Sequence, residues 1–230
     1  MPPEWVPHER TWMEFPSPNI TFDNEADVAL ARRKWTEVAN AIARFEPLSM
    51  VCNTGDAEVA RSMFDPAVAD NIETFETPTD DAWARDSGPT FLVHPDGRLG
   101  ATHWRFNAWG NAGFSRFDDE QHVGAFIAGL AGAELFSSEM TNEGGGIHVD
   151  GRGTVIITET VQLDPDRNPG WTRERVEQEL ASTIGATNVI WLQRGLTKDY
   201  DEFGTSGHVD ILATFTPTGT VLVHSQDDPT

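Results

Sequence analysis

Three short segments carry side chains that could do chemistry together. The first is Asp80-Asp81-Ala82-Trp83-Ala84-Arg85-Asp86-Ser87-Gly88-Pro89. Here Asp86 could take two N–H donors of a planar cation while Trp83 offers it a π face, and a guanidinium fits both contacts. Read as structure alone, the segment is a loop in which Arg85 neutralises nearby acids and Trp83 fills core. The second is Asn142-Glu143-Gly144-Gly145-Gly146-Ile147-His148-Val149-Asp150. No Lys-Ser/Thr follows its glycines, so it is not a phosphate loop. The glycines instead let backbone pass close to a ligand or another strand. A buried Glu143 beside them would need a partner.

The third segment is Gly204-Thr205-Ser206-Gly207-His208-Val209-Asp210, running into Ile211-Leu212-Ala213. As a strand entry it would set His208 and Asp210 on one face. That pair suits a proton-transfer histidine beside a cation-binding acid, or two metal ligands. His148-Val149-Asp150 has the same spacing, so a metal-dependent hydrolase using His208, Asp210 and Glu143 stays open. Asp150 lies in an Asp-Gly turn and is expected to face solvent, and His148 reads as a strand histidine near that turn.

The elements that must position these residues are legible as periodicity. Val28, Ala31, Trp35, Val38, Ala39 and Ile42 recur at helical steps and predict a helix over Glu25–Phe45, capped by Asp23 or Asn24. Shorter helices are predicted over Asp56–Phe64, Asp118–Leu130 and Thr172–Ile184, the last stopped by Gly185. Leu48–Cys52, Ile72–Phe75 and Val189–Leu192 read as strands. Three hairpins follow one layout: Thr90–Trp104, Gly146–Glu159 and Ile211–Ser225, turning at Gly97, Gly151 and Gly219. Those glycines are 54 and 68 residues apart, which suggests a loosely repeated unit of hairpin, helix and further strand. Val221–His224 reads as a strand inside a domain, and the closing residues show no terminal cap.

Composition bounds the function classes. The chain has 230 residues, 37 acidic against 16 basic, a formal charge of −21. Sequence-independent nucleic-acid binding and docking on anionic membranes are disfavoured by that sign, and cationic substrates or partners favoured. A single cysteine, Cys52, leaves no intrachain disulfide framework and no multi-cysteine zinc site. With no signal-peptide pattern and no membrane-length apolar run, a soluble cytoplasmic protein is expected.

Taken together the motifs resemble those of agmatine deiminases, which share a superfamily with bacterial peptidylarginine deiminases. The matching stretches are Pro3-Glu4-Trp5, Pro7-His8-Glu9 and Thr11-Trp12, then Asp81-x-Trp83-x-Arg85-Asp86-x-Gly88-Pro89. Phe106-Asn107-Ala108-Trp109-Gly110, Glu143 to Gly151 and Gly207-His208-Val209-Asp210 follow in order. The resemblance implies a pentein fold, an α/β propeller of repeated strand–helix units. It implies hydrolysis, without cofactor or metal, of a small cationic guanidinium substrate, agmatine, to N-carbamoylputrescine and ammonia through a cysteine adduct, serving putrescine and polyamine synthesis. In that scheme Asp86 and Asp210 clamp the guanidinium, His208 shuttles protons, Glu143 orients His208 and Trp83 packs on the substrate. A homo-oligomer is left open.

Two departures shape the expectation. The family's nucleophile lies in a Gly-rich His-Cys segment beyond this chain's last residue, and Cys52 sits in an apolar early strand. Residues 1–230 are therefore expected to form one agmatine deiminase-like domain lacking the C-terminal part with the nucleophile. The propeller would be incomplete, with open strand edges and poor solubility, and the chain inactive alone. Gly204-Thr205-Ser206 also stands where agmatine deiminases often carry an acid for the distal amine, with Asp201 and Glu202 close but displaced. A peptidylarginine-type or other guanidine substrate, or a non-catalytic guanidinium-binding relative, are the alternatives.

Overall fold

A computed structural model describes residues 1–225. Gln226 to Thr230, where the sequence shows no cap, lie outside the described residues. The first sheet is parallel and runs β1 (Thr11–Glu14), β2 (Leu48–Cys52), β3 (Ile72–Glu76). All five residues of the central strand β2 are buried, as a strand covered on both faces requires. The helix Glu25–Ile42 connects β1 to β2. Its start is fixed by Asn24, whose side chain accepts the amides of Ala26 and Asp27. Val28, Ala31 and Ala39 face the core from this helix, while Val38, at the flank of the apolar stripe, is half exposed, contrary to the periodicity.

The next two sheets repeat one plan. A hairpin, β4 (Thr90–Val93) with β5 (Leu99–Arg105), is followed by the helix Val123–Leu130 and then by β6 (Glu134–Thr141), parallel to β5. The hairpin of β7 (His148–Val149) and β8 (Thr154–Thr158) is followed by the helix Arg173–Ile184 and by β9 (Asn188–Leu192), parallel to β8. A third hairpin, β10 (Ala213–Phe215) with β11 (Val221–Val223), opens the pattern again. The predicted repeat is thus seen twice in full, with the turn glycines 97, 151 and 219 all at positive φ. The first sheet does not follow it.

Apolar clusters tie each sheet to the next. Val51 of β2 packs with Val123 and Ile127 of the following helix. Trp104 and Met140 pack with Val155, Ile157, Val176 and Leu180. Ile156 packs with Val209, Ala213 and Phe215. The strand expected at Val221–His224 forms over Val221–Val223, and all three residues are exposed. Among the described residues β11 pairs only with β10, which leaves its outer edge and faces uncovered. No helix of the described residues is long and apolar enough to cross a membrane.

Leu180 is fully buried in the cluster shared by the second and third sheets. Leu180→Ala is expected to cost about 2–5 kcal/mol through lost transfer energy and the cavity left behind. Chemical denaturation checks this, and a loss below about 1 kcal/mol contradicts that packing.

Candidate active site

Each of the three hairpins is entered through a loop that carries candidate residues. Asp86 lies on the short helix Ala84–Ser87 just before β4, Glu143 just before β7, and His208 and Asp210 just before β10. The repeat therefore delivers these side chains to one place. A cavity of about 490 Å³ is lined by Trp83, Asp86, Trp109, His208 and Asp210, with Phe114, Phe203 and Ile211. Glu143 sits behind His208, out of solvent altogether.

The His208 ring is the hub. Its Nε2 is 3.1 Å from Glu143 Oε2, and its Nδ1 is 3.9 Å from Asp86 Oδ1. Asp86 is held from two sides: the indole N–H of Trp109 donates to Oδ2 at 2.9 Å and the Gly145 amide to Oδ1 at 3.2 Å. A Cβ on Gly145 would lie 2.4 Å from His208 Nδ1 and 2.8 Å from Asp210 Oδ2, so only glycine lets these side chains close in. The glycine run thus serves close approach, as expected. His208 and Asp210 do not enter a strand, however. The amides of Leu212 and Ala213 fold back on Val209 O, and β10 begins only at Ala213. A turn, not a strand face, brings the pair to the cavity.

Burial and charge set opposite protonation tendencies. Burial pushes the Asp86 carboxyl up, against the charge of His208, and partial desolvation at the cavity edge pushes the exposed Asp210 up, against His208 and Arg85. For Glu143 burial also pushes up, but Arg167 and His208 outweigh it and hold the carboxyl below its ordinary range. Burial alone would strip the His208 proton. Asp86, the Glu143 hydrogen bond and charge, and Asp210 outweigh it and raise the ring's proton affinity. The site thus sets an imidazole of raised proton affinity among three carboxyl groups.

Four supports were invisible as motifs. Arg167 is fully buried at its side chain and donates from Nε to both Glu143 oxygens, at 3.0 and 3.1 Å. Asp199 accepts the amides of Thr205, Gly207 and His208 and so shapes the turn that presents His208. Buried Glu14 accepts the Ser87 hydroxyl at 2.5 Å, and Glu120 accepts the amides of Asp80 and Asp81, both at 3.0 Å. These bonds fix the loop that bears Trp83 and Asp86. The one sequence signal was that a buried Glu143 needs a partner; nothing local named Arg167.

Trp109 reaches Asp86 through an unusual backbone. Ala108, Trp109 and Asn111 all have φ between 52° and 58°, with Gly110 at 82°, one left-handed turn. Such a turn costs roughly 1–2 kcal/mol per non-glycine residue, and is the kind of local strain that functional sites hold. Asn107 stabilises it by accepting the Gly110 amide.

Other candidates fall elsewhere. Cys52 is buried in β2, and burial pushes its thiol up to about 12, a core thiol as read from the sequence. His148 is buried with Nε2 2.9 Å from the Thr214 hydroxyl, and Asp150 accepts amides of its own turn. Both oxygens of Glu143 are taken by Arg167, one of them also by His208, which removes it from the ligand set that the metal reading needs. Among the described residues no group of three or more His, Cys, Asp or Glu is arranged to hold a metal. Asp201 and Glu202 are exposed and do not line the cavity.

His208, whose folded-state proton affinity is raised, contributes stability that is complete below about pH 6.5 and lost as pH rises through its raised value. Burial lowers the proton affinities of His103 and His148. An NMR titration is expected to show His208 still protonated where both of those have deprotonated. Deprotonation of His208 first, or together with them, contradicts the charge arrangement.

Comparison with known proteins gives one answer throughout. The family model for Porphyromonas-type peptidyl-arginine deiminase matches residues 1–230. A Streptomyces avermitilis protein provisionally named agmatine deiminase is 52% identical over all of this chain and 66% of its own length. The agmatine deiminase of Ectopseudomonas mendocina is 39% identical over 99% of this chain and 61% of its own. Among solved structures, the agmatine deiminase of Enterococcus faecalis superposes with a TM-score of 0.89 at 31% identity, covering 100% of this chain and 61% of that one. The chain thus spans about two thirds of the length of the curated relatives it matches. The fold is the mixed α/β pentein fold of these proteins. The chain belongs to the Porphyromonas-type peptidyl-arginine deiminase family.

Proposed function

We propose that this chain forms the substrate-clamping and proton-transfer side of a hydrolase that converts agmatine to N-carbamoylputrescine and ammonia, within a propeller built from its repeated sheets. The observation that carries this is Asp86 and Asp210 lining one cavity together with His208, whose Nδ1 is 3.9 Å from Asp86 Oδ1. The cavity lining carries Asp86, Asp199 and Asp210 against Arg85 and His208, and Arg85 is paired with Glu4, so the acids suit a bound cation. The guanidinium fits as a planar donor to Asp86 and Asp210, with the aromatic wall of Trp83 along its chain.

In this reading a thiolate attacks the guanidinium carbon while the two aspartates compensate charge on the nitrogens. His208 gives its proton to the departing nitrogen, which leaves as ammonia. The neutral ring then takes a proton from water as that water's oxygen bonds to the carbon. The C–S bond then breaks as the added hydroxyl gives up its remaining proton, which the released ammonia takes up in solution, leaving a ureido product and the thiolate. Cys52 cannot supply that thiolate, being buried in β2 with its thiol pushed up to about 12. The nucleophile is assigned to the part of the longer relatives that this chain does not match.

The tail of the substrate has a second reading. A Cβ on Gly204 would lie 2.0 Å from Asp199 O, so this backbone leaves no room there for an acid that could meet a distal amine. Asp199 itself is spent on amides and on the Thr205 hydroxyl. Phe114 and Phe203 pack edge to face, 5.7 Å apart, on the cavity wall. That wall favours a guanidine with an uncharged or peptidyl tail as the alternative substrate.

Calorimetry on the 230-residue chain tests the proposal. Agmatine is expected to bind without ammonia release, and putrescine, which lacks the guanidinium, to bind much more weakly. Asp86→Asn and Asp210→Asn are each expected to weaken agmatine at least tenfold, about 1.4 kcal/mol. Equal binding of putrescine, or unchanged affinity in both variants, contradicts the guanidinium clamp.

A further inference from the structure

Arg167 makes contacts that go beyond neutralising one acid. Its Nε holds both oxygens of Glu143, its Nη1 donates to Asp164 at 2.8 Å, and its Nη2 donates to Thr205 O at 2.7 Å. Glu143 belongs to the loop entering β7, whereas Thr205 belongs to the loop that presents His208. One rigid guanidinium therefore spans both partners of the Glu143–His208 hydrogen bond and fixes their separation. It also packs beneath the left-handed turn: a Cβ on Gly110 would meet Asp164 Oδ2 at 3.0 Å and Arg167 Cγ at 3.6 Å.

The electrostatic consequence is larger than the steric one. A glutamate and a histidine buried together hold one proton between them, and an apolar surround favours the uncharged arrangement, carboxylic acid with neutral imidazole. An arginine on the carboxylate reverses that preference, because its charge is permanent and its Nε–H is shared by both carboxylate oxygens. We propose that Arg167 is a positioning residue that locks Glu143 as a carboxylate and thereby keeps His208 an imidazolium, while holding the His208 loop in register. The chemical purpose rests on the hydrolase reading above: His208 must carry a proton when the leaving nitrogen needs it.

Ring-nitrogen NMR of His208 in the 230-residue chain reads this directly. With Arg167 present, both ring nitrogens are expected to be protonated at pH 7. Arg167→Gln is expected to lower the His208 midpoint by more than one pH unit, while Asp86 and Asp210, which also face the ring, keep the rest of its raised proton affinity. Arg167→Lys, which keeps the charge without the fork, is expected to recover part of that shift. A folded Arg167→Gln protein with an unchanged His208 titration overturns the proposal. Because that variant could fail to fold, the unaltered chain supplies a second test. The Glu143 side-chain carboxyl carbon is expected to titrate below the ordinary glutamate range, and a carboxyl still protonated at pH 7 overturns the proposal. Neither readout uses ligand or turnover. A failure here leaves the guanidinium clamp standing, and a failure to bind agmatine leaves this proposal standing.

Discussion

The Glu143 carboxylate is wholly removed from solvent, and the rest of the site is arranged around the cost of keeping it charged. Burying a lone carboxylate costs several kcal/mol even after relaxation, so it persists only with cations and donors on its oxygens. Arg167 supplies the permanent cation and His208 the titratable one. Each comes from a different loop, so satisfying one charge fixes the relative placement of three chain segments. The same demand explains why these loops are braced by Asp199 and by the Ser87–Glu14 contact rather than left to solvent.

The repeated hairpins turn this local demand into a built site. Every hairpin is entered from a loop bearing a carboxylate, and the apolar clusters shared by neighbouring sheets hold those loop ends near one another. Strain is concentrated where it has a use. The left-handed turn at Ala108–Asn111 is unfavourable on its own, yet it aims the Trp109 indole at Asp86, whose buried carboxyl would otherwise lack a donor on that oxygen. Phe106 and Phe114 pack against the same indole, so the turn is enforced by packing as well as by Asn107.

Much of this was readable in the amino-acid sequence, and the exceptions have physical causes. Asp86, Glu143, His208, Asp210 and Trp83 stand in clusters whose residue types announce chemistry, and all five gather at or directly behind one cavity. The hairpins were legible because glycine turns are local. Arg167 was not, because its partner lies 24 residues away, and Glu14 meets Ser87 across 73 residues. His208–Asp210 is not a strand entry because Asp199 draws the amides of Gly207 and His208 into a turn, a competition that alternation cannot reveal. Val38 was placed inside by pattern alone, since an apolar residue at the flank of a helical stripe carries the same periodicity as a buried one.

Asp86, Asp210 and His208 are proposed as the seat of one guanidinium. A crystal structure of this chain with agmatine tests it most directly. Guanidinium nitrogens are expected within hydrogen-bond distance of both Asp86 and Asp210, with the methylene chain against Trp83. Agmatine bound with its guanidinium away from both aspartates, or reversed with the primary amine between them, contradicts it.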